Sequence, residues 1–270
     1  MPGADGTAVI RSTLRQQIAD ALRDEILAGR LVPGQEFTVK EIADQYGVSA
    51  TPVREALVNL AAQGLLDAVQ HRGFRVHEFA LADYRGMLQA RGLIADGIFR
   101  DLAVTAPHRP VPPTGYVAVR RRGEEAARAA SAGDLTVLIG YDLRFWRELS
   151  ELFGNAYLAE FLHRLRVQSW AYAVPHLRRE SERRGHLRGR LWARHTELVD
   201  ALTRRDAYGA HAIVAEYHGH SLRLLETLAE APPPGPRAES LPTYQPNSKT
   251  PESPETPESP ETPESPEPPA

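Results

Sequence analysis

Apolar residues recur along most of this chain at the three- and four-residue spacing of a helix, and only one short region alternates as strands do. Leu14, Ile18, Leu22 and Ile26 step by four, and Gly29 offers a stop. Thr38-Val39-Lys40-Glu41 has the form of a capping box, opening a short second helix with Ile42 and Ala43 inward and Gly47 closing it. Ser49 or Thr51 can cap a third helix, and Pro52 fits its first turn. Val53, Ala56, Leu57, Leu60 and Ala61 form its buried stripe, and Ala50, Thr51, Arg54, Glu55 and Val58 fall on the opposite face. After Gly64, residues 65–69 and 74–78 read as two strands joined by the hairpin Gln70-His71-Arg72-Gly73, in which Gly73 is free to take positive φ. Three helices and a two-stranded wing thus fill residues 8–79. The pattern predicts a winged helix-turn-helix that offers the Arg-bearing face of its third helix to a DNA groove.

The middle of the chain, 80–231, carries helical periodicity throughout. Helices are predicted over 81–105, 115–131, 134–152, 155–173, 187–203 and 206–229, with the prolines between 107 and 113 forcing a loop. The expected fold class is therefore mainly α: a winged helix-turn-helix, then an all-α antiparallel helical bundle. Polar residues on its apolar stripes mark the interior. Asp142 shares a face with Leu138, Phe145, Trp146 and Leu149; His195 with Leu191, Leu198, Val199 and Leu202; Tyr217 with Ala210, Ile213, Val214, Leu224 and Leu228. A buried carboxylate and imidazole must be paired or bound to something, so Asp142, His195 and Tyr217 outline a candidate pocket. Their alternative reading is a satisfied polar network inside the bundle. From 232 to 270 the chain turns Pro-rich and repeats Ser-Pro-Glu-Thr-Pro-Glu, the composition of a disordered tail.

Composition narrows the chemistry. The 270 residues contain no cysteine, which excludes disulfides, a thiol nucleophile, Cys-bound zinc and iron–sulfur clusters. No apolar run approaches membrane-spanning length and no signal peptide is apparent, so a cytoplasmic protein without a membrane partner is expected. Charge does not argue for DNA by itself: residues 8–79 hold eight Lys/Arg against nine Asp/Glu. Affinity must come from where the basic groups lie, with Arg11 and Arg15 adding phosphate contacts and a dimer doubling them. The tail from 232 carries seven Glu against Arg237 and Lys249. Seven arginines between 178 and 194, interleaved with Gly185 and Gly189, read as a basic loop, solvated or able to attract phosphate or the acidic tail.

The run "GRLVPGQEF…EIADQYGVSATPVREALVNLAAQGLL…HRGFRV" resembles the N-terminal domain of GntR-family bacterial transcription regulators. The resemblance implies DNA contacts from Ser49, Thr51 and Arg54 on the recognition helix, Arg54 being suited to a bidentate guanine contact. It also implies that His71, Arg72 and Gly73 carry the wing tip into the minor groove. One departure stands out: the family usually has Arg where this chain has Ala50, so one base contact is expected to be missing.

The helical region resembles the FCD effector domain of the FadR-type subfamily through Asp142-Leu-Arg-Phe145-Trp146, Gly154-Asn155, the segment from His195 to Leu202, Asp206 and Ala210. Arg91 also matches a position usually held by Arg. The resemblance implies an effector site of Arg91, Asp142, Trp146, Asn155, His195 and Tyr217. Many members of that family hold a divalent metal such as zinc through one Asp and three His. Asp142 and His195 match two of those ligands, but Trp146 and Tyr217 stand at the other two, with His218 one place along and turned by ~100°. A metal set of Asp142, His195 and His218 is thus incomplete, and a metal-free pocket is the expectation, with Arg91 as a carboxylate clamp.

These readings combine into a homodimeric DNA-binding repressor, acting on a palindromic operator and controlled by a small metabolite, an organic acid, in the helical domain. Catalytic residues are not expected. The alternatives are an enzyme that uses Asp142 and His195 as an acid–base pair beside a DNA-targeting domain, and a ligand-independent DNA-binding protein whose Trp146 and Tyr217 fill an old cavity.

Overall fold

A computed structural model describes residues 13–70, 72–105 and 115–230. Arg11, His71, the predicted loop between 107 and 113 and the tail from 232 lie outside the described residues.

The N-terminal unit comprises α1 (Leu14–Leu27), β1 (Glu36–Phe37), α2 (Val39–Tyr46), α3 (Ala50–Ala62), β2 (Leu66–Val69) and β3 (Gly73–Val76). Local chemistry sets most of these boundaries. Thr13 caps α1. Thr38 and Glu41 form the reciprocal capping box of α2, and Gly47 ends that helix in the left-handed conformation. The stripe of α3 is fully buried at Val53, Ala56, Leu57 and Leu60. The wing differs from expectation in having a third strand: the sheet order is β1-β3-β2, all antiparallel, with Phe37 opposite Phe74. Gly73 explains why glycine is needed at the hairpin's return. Its φ is +112°, and a Cβ there would stand 2.4 Å from the Phe37 carbonyl oxygen.

The helical region comprises α4 (Leu81–Thr105), α5 (Gly115–Ala132), α6 (Leu135–Leu152), α7 (Ala156–Arg184), α8 (His195–Thr203) and α9 (Ala207–Ala229). Two predicted boundaries are corrected. Helix α7 runs eleven residues past the expected end at 173, straight through Pro175. Burial of Val174 and Leu177, with the ion pairs of Glu180, outweighs the hydrogen bond that Pro175 cannot donate. Helix α8 starts at His195 rather than 187, because Gly185 and Gly189 both take positive φ. Leu187, Leu191 and Trp192 nevertheless anchor that irregular stretch in the core.

Helices α5 and α6 pack together, as do α4 and α9, and α7 touches α4, α6, α9 and also α1. One apolar cluster is continuous from Leu57 and Leu60 of α3 to Val174 and Leu177 of α7 and Leu225 of α9. A second, around Phe145, Trp146, Leu198 and Tyr217, fills the far part of the bundle.

Candidate DNA-reading face and a buried cationic site

Ser49, Ala50, Thr51, Arg54, Glu55, Val58 and Asn59 are all exposed and form one continuous face of α3. Ser49 has the extended backbone of an N-cap but makes no side-chain cap bond. Its hydroxyl and the first amides of α3 are therefore available to a phosphate, in the way helix N-termini hold anions. Arg54 has no ion-pair partner among the described residues, whereas Glu55 faces Arg15 at 3.8 Å across two exposed side chains. Val58, 55% exposed, is an apolar group of the kind that meets thymine methyls. On the wing, the Arg72 backbone N–H donates to the Val69 carbonyl at 3.0 Å and closes the hairpin, leaving an exposed side chain at its tip. Gly73 contributes conformation rather than a side chain.

The interior of the bundle brings Asp142, Trp146, His195 and Tyr217 together. Asp142 is 1% exposed, and both carboxylate oxygens accept hydrogen bonds. Oδ1 accepts from Trp146 Nε1 at 3.0 Å and from His195 Nε2 at 3.1 Å; Oδ2 accepts from Trp170 Nε1 at 2.8 Å. The carboxylate fixes the His195 tautomer with its proton on Nε2. Close packing locks the ring: Phe145 and Trp192 both meet it edge-on, at 5.0 and 4.7 Å between centres.

The residue that sequence reasoning missed is Arg166, on α7. It is 6% exposed. Its Nη1 donates to the Tyr217 hydroxyl at 3.0 Å and lies 3.6 Å from Asp142 Oδ2, and the guanidinium sits 4.0 Å from the centre of the Trp146 ring. Burial and the neighbouring Arg91 charge draw the group down to about 10, partly opposed by Tyr217 and Asp142. It remains a cation at neutral pH. Burial pushes the Asp142 carboxyl up, but the Arg166 charge and the hydrogen bonds of His195 and Trp170 outweigh it and hold it well below the usual carboxylate range.

Arg91, on α4, is 2% exposed and stands 5.4 Å over the Tyr217 ring. Only Nη1 has a partner, the Ser169 hydroxyl at 3.4 Å; Nε and Nη2 have none among the described residues. The indole N–H of Trp192 is also buried without a partner among the described residues. Two cavities, of ≈ 40 and ≈ 50 Å³, meet at Arg91 and Arg166. Two buried guanidiniums thus face one carboxylate, with donors left over. Such a surface offers positive charge and hydrogen-bond donors, the chemistry that suits an acceptor-rich anion.

The remaining expected site residues fall elsewhere. Asn155 is exposed, caps α7 through Leu158 N at 3.1 Å, and lines neither cavity. His218 lines the smaller cavity with Arg91 and Arg166 but not the one that contains Asp142. Burial and the two arginine charges push its imidazole down to about 2, so it is neutral. A divalent metal does not fit this donor set. Both oxygens of Asp142 are taken by N–H groups, Arg166 supplies positive charge beside it, and among the described residues no group of three His, Asp or Glu is placed to hold an ion.

Four of the seven arginines of 178–194 are held in ion pairs. Arg178 to Arg184 are helical rather than looped. The buried Glu180 carboxylate pairs with Arg183, Arg184 and Arg190, and Arg194 pairs with Glu197 and Glu216.

Two family descriptions match the chain: "Bacterial regulatory proteins, gntR family" over residues 14–76 and "FCD domain" over residues 87–219. The chain is 33% identical over 165 residues to the probable D-xylose utilization operon transcriptional repressor of Paenarthrobacter nicotinovorans, covering 61% of this chain and 70% of that protein. It is 25% identical over 227 residues to the transcriptional regulator McbR of Escherichia coli K12, covering 83% and 97%. The solved structure of E. coli McbR/YncC superposes with a TM-score of 0.63 at 22% identity, over 82% of this chain and all of that one, a likeness of fold.

Proposed function

The chain belongs to the GntR family of bacterial transcription regulators and carries an FCD domain, and on that premise we propose that it is a repressor whose hold on its operator is set by a small organic anion bound inside the helical domain. The observation that carries this reading is the buried Arg91, whose Nε and Nη2 lack partners while a second buried guanidinium faces the same cavities. Such a cation is costly unless a guest neutralises it.

On the DNA side, Ser49, Thr51 and Arg54 enter the major groove, and Arg72, with His71 beside it, tracks the minor groove from the wing. Two copies of the chain place two recognition helices about one helical turn apart on a palindromic operator, roughly 34 Å. On the effector side, Arg91 and Arg166 bind the anion, while Asp142, Trp146, His195 and Tyr217 hold Arg166 in place. Asp142 and His195 act as supports in this scheme and carry out no chemistry. Helix α7 joins the two ends: Arg166 and Ser169 face the cavities, and Gln168 donates to the backbone carbonyl of Gln63 at the end of α3. The anion changes operator affinity only as far as it binds one arrangement of α7 better than the other.

A second reading has one observation in its favour. The cavities are small, since Arg166, Trp146 and Tyr217 pack into the space between them. That packing suits a ligand-independent regulator. The two readings separate in a footprint of DNA flanking the protein's own gene. The proposal expects a twofold-symmetric protected region that fades as a small organic acid is added. Protection indifferent to every acid in a broad panel favours the second reading.

A further inference from the structure

The two cavities that meet at the guanidinium pair are not alike. Resting on the anion-responsive reading, their difference narrows the class of anion. The smaller cavity is walled by Ile98, Phe99, Leu149, Phe153, Leu162 and Val214. Of the polar groups around it, Ser150 spends its hydroxyl on the Trp146 carbonyl at 2.7 Å, and Arg147 is drawn to Glu151 at 3.4 Å. His163 and His218 are held neutral, pushed down to about 4 and about 2 by burial and by the surrounding arginines. Two neutral imidazoles serve one or two hydroxyls at most. The four or five hydroxyls of a sugar acid would enter an apolar wall with their hydrogen bonds unmade, which costs several-fold in affinity for each at ~1 kcal/mol or more. The volume, ≈ 40 Å³, is room for about three water-sized groups. At the junction of the cavities, Arg91 Nε and Nη2 are unpartnered.

We propose that the ligand is a short-chain monocarboxylate with a compact apolar body, its carboxylate held between Arg91 and Arg166 and its body seated among Ile98, Phe99, Leu149, Phe153, Leu162 and Val214. Polyhydroxylated sugar acids are excluded from this site. The nearby Asp142 carboxylate repels a second negative charge, which disfavours dicarboxylates.

The test is calorimetric titration of the full chain with isobutyrate, isovalerate, the neutral amide of isovalerate, and gluconate, alongside release of operator DNA by each. Saturable binding of isovalerate or isobutyrate is expected, with the amide weaker by about a hundredfold, as for removal of a charge-assisted hydrogen bond, and gluconate weaker still, by several-fold for each hydroxyl left without a partner. The comparison of acid with amide needs no variant. Arg91→Met adds an independent arm, and should abolish binding while leaving the helical circular dichroism intact. Gluconate binding and releasing DNA where isovalerate does not overturns this inference and leaves the anion-responsive reading standing. Equal binding of acid and amide overturns the assignment of the guanidinium pair. Failure of every compound to bind or to release DNA overturns this inference, and the anion-responsive reading falls with it only where the broad panel of acids also leaves the operator protected.

Discussion

Gln168 on α7 donates its side-chain amide to the backbone carbonyl of Gln63, the C-cap residue of the recognition helix, at 2.8 Å. The bond spans 105 positions of sequence and arises one residue away from Ser169 and two from Arg166. It links the end of the DNA-reading element directly to the helix that lines the buried cationic site. Gln168→Met keeps the length of the side chain and removes the donor. Operator affinity without ligand is expected to stay within a few-fold, while the ratio of affinities with and without ligand shrinks about tenfold, the coupling carried by one hydrogen bond. Anisotropy titrations of both proteins check this, and an unchanged ratio removes α7 as the route.

Arg91 should be a liability in the absence of ligand. Replacing it by methionine removes two unsatisfied buried donors and the repulsion of Arg166. The Arg91→Met protein is expected to be more stable than wild type by about 1–3 kcal/mol without ligand, and to gain nothing from the acids that stabilise wild type. Thermal melts decide. A marked fall in melting temperature would show that Arg91 is a structural ion instead.

Stability should fall as the solution is acidified from neutrality. Both His163 and His218 have folded values, about 4 and about 2, below the ordinary 6.5. Below about 6.5 the unfolded chain takes up protons that the folded chain refuses. Stability is therefore lost as pH falls through that value, by on the order of 1 kcal/mol per unit for each group. The loss from His163 ends near 4, and that from His218 continues below it. Urea midpoints between pH 7.5 and 4.5 measure the slope, and His218→Gln should flatten it. A bound anion beside Arg91 and Arg166 should flatten it too.

Because both Asp142 oxygens already accept N–H groups, a chelator has nothing to remove. Overnight EDTA treatment is expected to leave the melting temperature and operator affinity unchanged, and added zinc to raise neither. A zinc-dependent stabilisation would mean that Asp142 releases Trp146 and His195 to a metal.

Arg72, at the exposed wing tip, is expected to act on DNA through charge. Arg72→Ala should weaken binding to specific and unrelated DNA alike, and should reduce the salt slope by about 0.9 for each phosphate that the side chain neutralises in the wild type. Discrimination between sequences should survive.

The N-terminal unit was legible because its signals are local. The Thr38–Glu41 box, the left-handed Gly47 and the stripe of α3 each depend on residues within a few positions of one another. Strand β1 was not legible, since Glu36-Phe37 is too short for alternation and exists only through pairing with β3. The end of α7 was misread because Pro175 is a strong local stop that distant burial overrides. The inward faces of Asp142, His195 and Tyr217 followed from periodicity. Arg166 was overlooked because an arginine in a helix ordinarily means solvent. Its place in the series Leu162, Arg166, Ser169, Ala173 and Leu177, at spacings of four and three, carried the signal. What no spacing reveals is that Arg166 meets Asp142 across two helices. Asn155 shows the reverse case, where a Gly-Asn helix start explains the residue without any ligand.

The most direct test of the central claim is competitive binding of the full chain to DNA flanking its own gene, measured for wild type and Arg54→Ala. A sequence-selective complex that unrelated DNA fails to displace, weakened about 10- to 100-fold by the substitution, is the predicted result. Equal displacement by any DNA, or an unchanged affinity for Arg54→Ala, would contradict it.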